Sequence, residues 1–335
     1  PEQVVLEQQY YYVMMGGAFF ALMKACAAGY FCGIGSTRVV MITDVLGVLI
    51  NIPLTWVLIF GKFGFPELGI RGAALGTVIA AGCTMGIYAL FYFSTLHRER
   101  FCVAESFHFD SGILRRYIRL GLPSGFETFV GAATFTLFLL MFQSYGVAEG
   151  AAMAIVFNWD MLNYVPLIGL NIAVTSMIGR YVGSADMTRA NQIIIAAFSI
   201  ALSFSTLLAL LFVVFRTELI MVFATPEQDF SLIAGLGSRM MLGMATYVLA
   251  DAIIMVCAGV LRGAGDTRWL MNTSMSLHTL MLICQYVLIK HLDVGPMVSW
   301  WAFVAMLLAL ASVYLVRLLG ATWRRPSRLA RVMAE

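Results

Sequence analysis

Residues 246–268 read TYVLADAIIMVCAGVLRGAGDTR, a long apolar run that contains one carboxylate, Asp251, and ends in a glycine-rich, charged turn. A carboxylate is unfavourable inside a segment that spans a bilayer, so residues of this kind usually serve a function. A weaker copy of the same turn, CGIGSTR, stands at residues 32–38. An acid inside a span together with a repeated turn favours a membrane transporter over a soluble enzyme.

The composition around this stretch is that of a membrane protein. Of the 335 residues, 61% are hydrophobic and 12% are charged, whereas a soluble domain is about one quarter charged. Apolar runs of about 20 residues recur, which is the length that crosses a bilayer as a helix. We therefore predict an all-α polytopic membrane protein. The predicted spans are 10–32, 39–61, 72–96, 120–145, 151–178, 191–215, 233–261, 269–290 and 297–318.

The basic residues are distributed unevenly between the two sides that these nine spans define. Of the 21 Lys and Arg residues, 15 fall in one set of connections and the C-terminal tail, and five fall in the other set. Cytoplasmic loops are enriched in Lys and Arg. We therefore expect a multi-pass protein of the plasma membrane (the inner membrane in a bacterium), with residue 1 outside and residues 319–335 as a basic cytoplasmic tail.

An internal repeat predicts the domain organisation. Between residues 28 and 66, 12 of 39 positions are identical to those 230 residues later, where apolar composition alone predicts about three or four. Such a parallel repeat is typical of transporters built from two halves. Three spans precede the second copy and none precedes the first. We infer a protein of 12 helices in two six-helix lobes, N-terminally truncated here by three helices. Residues 1–96 would be the remainder of the N-terminal lobe, 97–118 a cytoplasmic linker with an amphipathic helix, and 119–318 the C-terminal lobe.

The chain carries no sequence pattern of a known enzyme site. It lacks HExxH, GxSxG and GxxxxGK[ST] motifs and any Cys/His cluster, so we expect neither an enzyme nor an organic cofactor. Candidate chemistry rests on ionisable residues inside the predicted spans, which are Lys24, Asp44, Glu127, Asp160 and Asp251.

Asp251 is the strongest of these candidates. Tyr247 lies one helical turn before it, so both side chains project from one face. A buried carboxylate beside a phenol suits a proton or a dehydrated Na⁺, either of which neutralises its charge. Glu127, one turn after Pro123, is a second candidate. We therefore predict that Asp251 holds a proton or Na⁺, and that Glu127 either serves a function or extends to the cytoplasmic surface.

The remaining candidates are assigned to a cavity lining. Asp160 stands between Asn158 and Asn163, and this polar group either lines a cavity or forms hydrogen bonds to neighbouring helices. Lys24 either pairs with a nearby acid or extends its stem to the membrane surface. Asp44, close to the start of its span, is either a further cavity residue or a packing residue at the interface.

Four segments together resemble the multidrug and toxic compound extrusion (MATE) family. They are NIPLTWVLIFGKFGFPELGIRGAALGTVIA (51–80), RLGLPSG (119–125), GRYVGSADMTRA (179–190) and LRGAGDTR (261–268). The resemblance runs from the family's fourth helix to its twelfth. It implies an antiporter that exports organic cations, drugs or metabolites in exchange for Na⁺ or H⁺ by alternating access.

The resemblance also implies a cation site in the C-terminal lobe. The family's site combines a Tyr and an Asp one turn apart in the tenth helix with a Glu in the seventh. Tyr247 and Asp251 match the first pair. The seventh-helix position falls on Gly131, and Glu127 lies one turn earlier. The resemblance thus implies a Na⁺ site at Asp251 and Glu127, with Na⁺ or H⁺ as the coupling ion. The family's first-helix acid would precede residue 1.

Two other functions remain open from the sequence. A flippase for a lipid-linked saccharide or another amphiphile belongs to the same superfamily, but such a cavity favours cationic residues, whereas the set here is mostly acidic. An uncoupled channel or membrane scaffold would need no titratable acid in a span. For the exporter we expect a small cationic or amphiphilic substrate, the lipid bilayer as partner, no nucleic acid, and a monomer.

Overall fold

The computed structural model of the chain describes residues 2–101, 103, 108–224, 230–320 and 323–324. All regular secondary structure within these ranges is helical, which confirms the predicted fold class. Eight of the helices there are long and apolar enough to cross a membrane. The chain divides into two compact units, residues 1–110 and 111–335.

Unit 1 is a bundle of three long helices and one short one. They are α1 (Glu2–Gly33), α2 (Thr37–Phe60), α3 (Gly69–Tyr92) and α4 (Thr95–Phe101). Helix α3 packs against both α1 and α2. Gly72 and Gly76 of α3 lie against Leu58 and Thr55 of α2. Small residues let two helices approach closely in a membrane, which explains why α3 packs closely against α2.

Unit 2 is organised around one buried helix. Its elements are α5 (Ser111–Gln143), α6 (Val147–Gly183), α7 (Met187–Val214), α8 (Arg216–Met221), α9 (Ser231–Gly263), α10 (Thr267–Tyr286) and α11 (Pro296–Leu319). Helix α9 packs against α6, α7 and α11. In an apolar stretch of 18 residues within α9, 72% of the residues are buried. The stretch 246–268 therefore forms the C-terminal half of the central helix of unit 2 and the turn that follows it.

One predicted span differs from the others in composition. The segment 269–290 forms α10 and a π-helical turn, Val287–His291, but it is not among the eight apolar helices of the described ranges. Its polar residues include Asn272, Ser274, His278 and Gln285. Gln285 is buried and exchanges hydrogen bonds with Ser299 of α11, so part of this polarity is satisfied between helices.

The start of unit 2 differs from the predicted linker. Helix α5 begins at Ser111 and continues to Gln143 without a break, so the predicted amphipathic segment forms the first turns of α5 and not a separate helix. Pro123 lies within α5, as is tolerated in membrane helices. Residues 102 and 104–107 of the predicted linker lie outside the described residues. So do residues 321–322 and 325–335 of the predicted basic tail.

The repeated turn has the same backbone structure in both units. Gly35 and Gly265 both adopt a φ of 79°, a left-handed conformation that favours glycine. The Gly35 amide donates to Cys32 O and the Gly265 amide to Arg262 O, each at 3.0 Å. The next helices start at Thr37 and Thr267. The sequence repeat therefore corresponds to a repeated helix–turn–helix.

Candidate functional site

Helices α6 and α9 are joined by hydrogen bonds from α6 side chains to α9 carbonyls. Asn163 Nδ2 donates to Val248 O at 3.4 Å, Asn171 Nδ2 to Met255 O at 2.6 Å, and Thr175 Oγ1 to Gly259 O at 3.2 Å. The partners are 84 or 85 residues apart in each case, so the two helices run parallel in constant register. We call this contact the α6–α9 seam.

The seam brings two acids and two phenols together. Its offset places Asp160 beside residues 244–245 of α9 and Asp251 beside residues 166–167 of α6. Tyr247 and Tyr164 lie at levels between the two acids. Tyr247 interacts electrostatically with Asp160 and Asp251, and Tyr164 interacts with the same two carboxylates. Asp160, Tyr164, Tyr247 and Asp251 are hereafter the seam cluster.

Three of the four residues of the seam cluster are buried, Tyr164 is half-buried, and the cluster lacks a compensating cation among the described residues. Asp160, Asp251 and Tyr247 are 6%, 8% and 1% exposed. Within the described residues, the ion pairs of the chain involve other carboxylates. The Tyr247 hydroxyl lies against the Asp160 carboxylate, although neither the hydroxyl nor Asp160 Oδ1 makes a hydrogen bond of full geometry. Two buried carboxylates without a positive partner repel each other and attract a proton or a metal cation.

Tyr164 was missed by the sequence reasoning, although a local signal was present. Asp160 and Tyr164 are one turn apart on α6, as Tyr247 and Asp251 are on α9. The motif Asp-x-x-x-Tyr on α6 is thus the reverse of Tyr-x-x-x-Asp on α9. Because the two helices are parallel, this reversal places each phenol between the carboxylates.

Glu127 does not lie in the seam cluster. Its Oε2 is 3.1 Å from Nη2 of Arg262 in a largely buried ion pair between α5 and α9. Nη1 of the same guanidinium donates to Asn171 Oδ1 at 3.0 Å. Arg262 follows Asp251 by 11 residues, or about 16 Å along a helix. The structure therefore separates Glu127 from Asp251, which the sequence analysis had placed in one cation site.

The family position on α5 faces a different helix. A side chain at Gly131 would point toward His278 of α10, whose Nε2 lies 3.9 Å from the ideal Cβ position. Nδ1 of His278 is 2.7 Å from Ser274 O. Within the described residues, α5 thus brings no carboxylate to the seam cluster.

The other predicted cavity residues fall into separate groups. Lys24 Nζ pairs with Asp44 Oδ1 at 3.1 Å in unit 1, and the Tyr88 hydroxyl donates to the same oxygen at 3.5 Å. Asn158 is exposed and donates to Ala154 O of its own helix at 2.9 Å. Asn163 is fully buried; its Oδ1 accepts from Ser205 Oγ of α7 at 2.7 Å. Asn163 therefore joins three helices.

Known proteins resemble this chain along most of its length. A probable multidrug resistance protein NorM from Thermotoga maritima is 28% identical over 307 residues, covering 89% of this chain and 63% of the relative. The multidrug resistance protein MdtK from Yersinia pseudotuberculosis is 26% identical, covering 85% and 63%. The chain thus spans about 63% of the length of these relatives.

Solved structures share the fold. An outward-facing multidrug resistance MATE family transporter superposes with a TM-score of 0.81 at 20% identity, covering 99% of this chain and 71% of the other. A transporter of the MOP superfamily from Pyrococcus furiosus superposes with a TM-score of 0.78 at 19% identity, covering 97% and 70%. At this level of identity, the likeness establishes the fold.

The MatE family model matches residues 123–287, which contain the whole seam cluster and both halves of the Glu127–Arg262 pair. Both relatives are named multidrug resistance proteins and both solved structures are described as transporters; none of these names is that of an enzyme. The chain is therefore a multi-pass membrane protein of the MATE transporter family.

Proposed function

We propose that the protein is a secondary active exporter that expels small organic cations, drugs or metabolites in exchange for H⁺ or Na⁺. The observation that carries this proposal is Asp251, a carboxylate 8% exposed on the central helix of unit 2, without a cationic partner in the described residues. The names of the relatives, multidrug resistance proteins, support the substrate class.

The chemistry of such a site is charge exchange. A buried carboxylate is stable when a proton or a metal cation neutralises it. A cationic substrate that reaches the same charge competes with that ion, so one can leave when the other binds. Binding of each ligand to a different conformation then converts an ion gradient into export.

We place the protein in a plasma membrane, the inner membrane if the source is a bacterium, as a monomer with its C-terminus in the cytoplasm. The excess of Arg and Lys in one set of connections supports this orientation. The substrate is small and cationic or amphiphilic, and the coupling ion is the only further ligand proposed.

The two alternative functions, a flippase and an uncoupled channel or scaffold, do not require buried acids. A lipid-linked saccharide flippase of the same superfamily needs positive charge for a phosphate group, but the seam cluster is acidic. An uncoupled channel or scaffold does not require two unpaired carboxylates at a buried helix contact. Both alternatives predict that removal of the Asp251 charge leaves function intact.

The test is efflux of ethidium from cells that express the protein, with the H⁺ and Na⁺ gradients collapsed separately by ionophores. We expect efflux to stop when the coupling gradient is removed. In Asp251→Asn we expect coupled efflux to fall by about 100-fold or more, as for loss of a positioned proton-transfer group. Asp186→Asn, which removes a carboxylate at the N-cap of α7, is the control and should export normally.

Ethidium efflux that continues with both gradients collapsed would contradict coupling. Normal efflux by Asp251→Asn, at an expression level equal to that of the parent protein, would remove Asp251 from the mechanism.

A further inference from the structure

We propose that Asp160 is a second proton-holding position in series with Asp251, and that the Tyr247 hydroxyl passes the proton between them along the α6–α9 seam. This inference rests on the proposed function and specifies its coupling ion as H⁺. It also assigns to α6 the second carboxylate that the family resemblance would have placed on α5, at Gly131.

The register of the seam gives the order of the groups. Asp160 is level with residues 244–245 of α9, which precede Asp251 by six or seven residues. At 1.5 Å per residue the backbone positions of the two acids are about 10 Å apart along the helix axis. This offset leaves room for a proton-carrying group between the two carboxylates. Tyr247 lies between them and is the only seam-cluster residue of α9 besides Asp251.

The orientation of Tyr247 fits a relay. Side chains on an α-helix incline toward its N-terminus, so the Tyr247 ring extends from its own level toward that of Asp160. Its hydroxyl is fully buried and lies against the Asp160 carboxylate, its hydrogen-bonding neighbour on α6. Buried polar groups in proteins are nearly always hydrogen-bonded. A proton held between the phenol oxygen and Asp160 satisfies both groups.

The proton transfer balances without a further reactant. A proton on Asp160 passes to the Tyr247 oxygen while the phenolic proton leaves toward Asp251, so one O–H bond breaks and another forms at the phenol. Tyr164 of α6 interacts with both carboxylates and supplies a second hydroxyl beside the path. Among the described residues, the titratable groups that interact with Asp160 are Tyr164, Tyr247 and Asp251.

The experiment uses proteoliposomes that contain the protein and a trapped pH-sensitive dye, with tetraphenylphosphonium as the substrate. We expect tetraphenylphosphonium to drive proton movement in the parent protein. In Asp160→Asn and in Tyr247→Phe, this proton flux should fall by about 100-fold. Equilibrium binding of tetraphenylphosphonium should stay within about twofold of the parent value, because the relay is needed for proton transfer and not for contact with the substrate.

Tyr314→Phe is the matched control. Tyr314 is also a buried phenol, 2% exposed, but it interacts with Glu127 and Arg262 and not with the seam cluster. The same substitution there should leave proton flux unchanged. If Asp160→Asn and Tyr247→Phe move protons at the parent rate while Asp251→Asn does not, Asp251 acts alone and the relay is wrong. A flux in the parent protein that follows Na⁺ and not H⁺ would also overturn it.

A second measurement separates this inference from the exporter proposal. In weakly buffered detergent solution, tetraphenylphosphonium binding should release protons from the parent protein and fewer from Asp160→Asn. If no gradient-driven export exists but Asp160→Asn still reduces proton release, Asp160 keeps its assignment and the exporter proposal fails. If export is coupled but proton release is unchanged in Asp160→Asn, the exporter proposal stands and Asp160 loses its role.

Discussion

Helices α1 and α9 are followed by the same turn but differ in burial. In α9, 72% of the residues in an apolar 18-residue stretch are buried, whereas in α1 the share is 6%. At the repeat offset of 230 residues, Ala21 of α1 corresponds to Asp251, and Gly17 corresponds to Tyr247. Gly17 lies directly against Val78 of α3, leaving no room for a phenol. The repeat thus preserves the backbone of the turn, while the acid and the phenol belong to one copy alone.

The largest expected effect concerns a buried ion pair of unit 2, Glu127–Arg262. Arg262→Met leaves the Glu127 carboxylate buried without its partner, and breaking a buried pair in this way costs about 3–5 kcal/mol. We expect a large fall in the thermal unfolding temperature in detergent. Glu127→Gln combined with Arg262→Met should recover part of the loss, because no charge is then left unpaired.

The matched change in unit 1 is Lys24→Met. The Lys24 and Asp44 side chains are 36% and 44% exposed, and Asp44 keeps its contact with Tyr88. We expect a smaller fall in the unfolding temperature than for Arg262→Met. Equal falls would show that the two pairs contribute alike, contrary to their burial.

A smaller effect is expected at Gly33 and Gly263, the glycines with which α1 and α9 end. A Cβ at Gly263 would lie 2.6 Å from Thr175 O and 3.0 Å from Ile178 Cβ of α6, whereas a Cβ at Gly33 would meet nothing within 4 Å. Gly263→Ala should therefore destabilise the protein by about 1–3 kcal/mol. Gly33→Ala should be neutral or stabilise by up to about 1 kcal/mol. Thermal unfolding of both variants checks this, and equal shifts would contradict the close contact at Gly263.

The smallest effect should be the same in both copies. Gly35→Ala and Gly265→Ala each force a side chain into a backbone conformation with φ of 79°, which costs about 1–2 kcal/mol. We expect similar falls in the unfolding temperature for the two variants. A large difference between them would show that the repeated turns are not equivalent in solution.

The sequence was sufficient for the features that depend on neighbours along the chain. Apolar run length predicted the helices, and the spacing of Tyr247 and Asp251 placed both on one side of α9. The repeat predicted two matching turns, and both have the same hydrogen bonds. These features follow from helical geometry, which needs no knowledge of how the helices pack.

Features that depend on the register between helices were not predictable. Asp160 meets Tyr247 because of the register between α6 and α9, which the Asn163 and Asn171 hydrogen bonds help to fix, and no local pattern sets that offset. Glu127 was placed with Asp251 because family spacing put it one turn from Gly131. In the structure, Glu127 forms an ion pair with Arg262, which lies 135 residues away in the sequence. A long guanidinium side chain reaches across helices in a way that periodicity does not reveal.

The three side-chain bonds along the seam have a mechanical consequence. Asn163, Asn171 and Thr175 each hold a carbonyl of α9, so sliding α6 along α9 would break all three at once. These bonds favour movement of the two helices as one rigid body, with any hinge of unit 2 placed elsewhere. In the proposed exporter, a motion that opens a path for the substrate would then carry both acids together and keep the spacing between them.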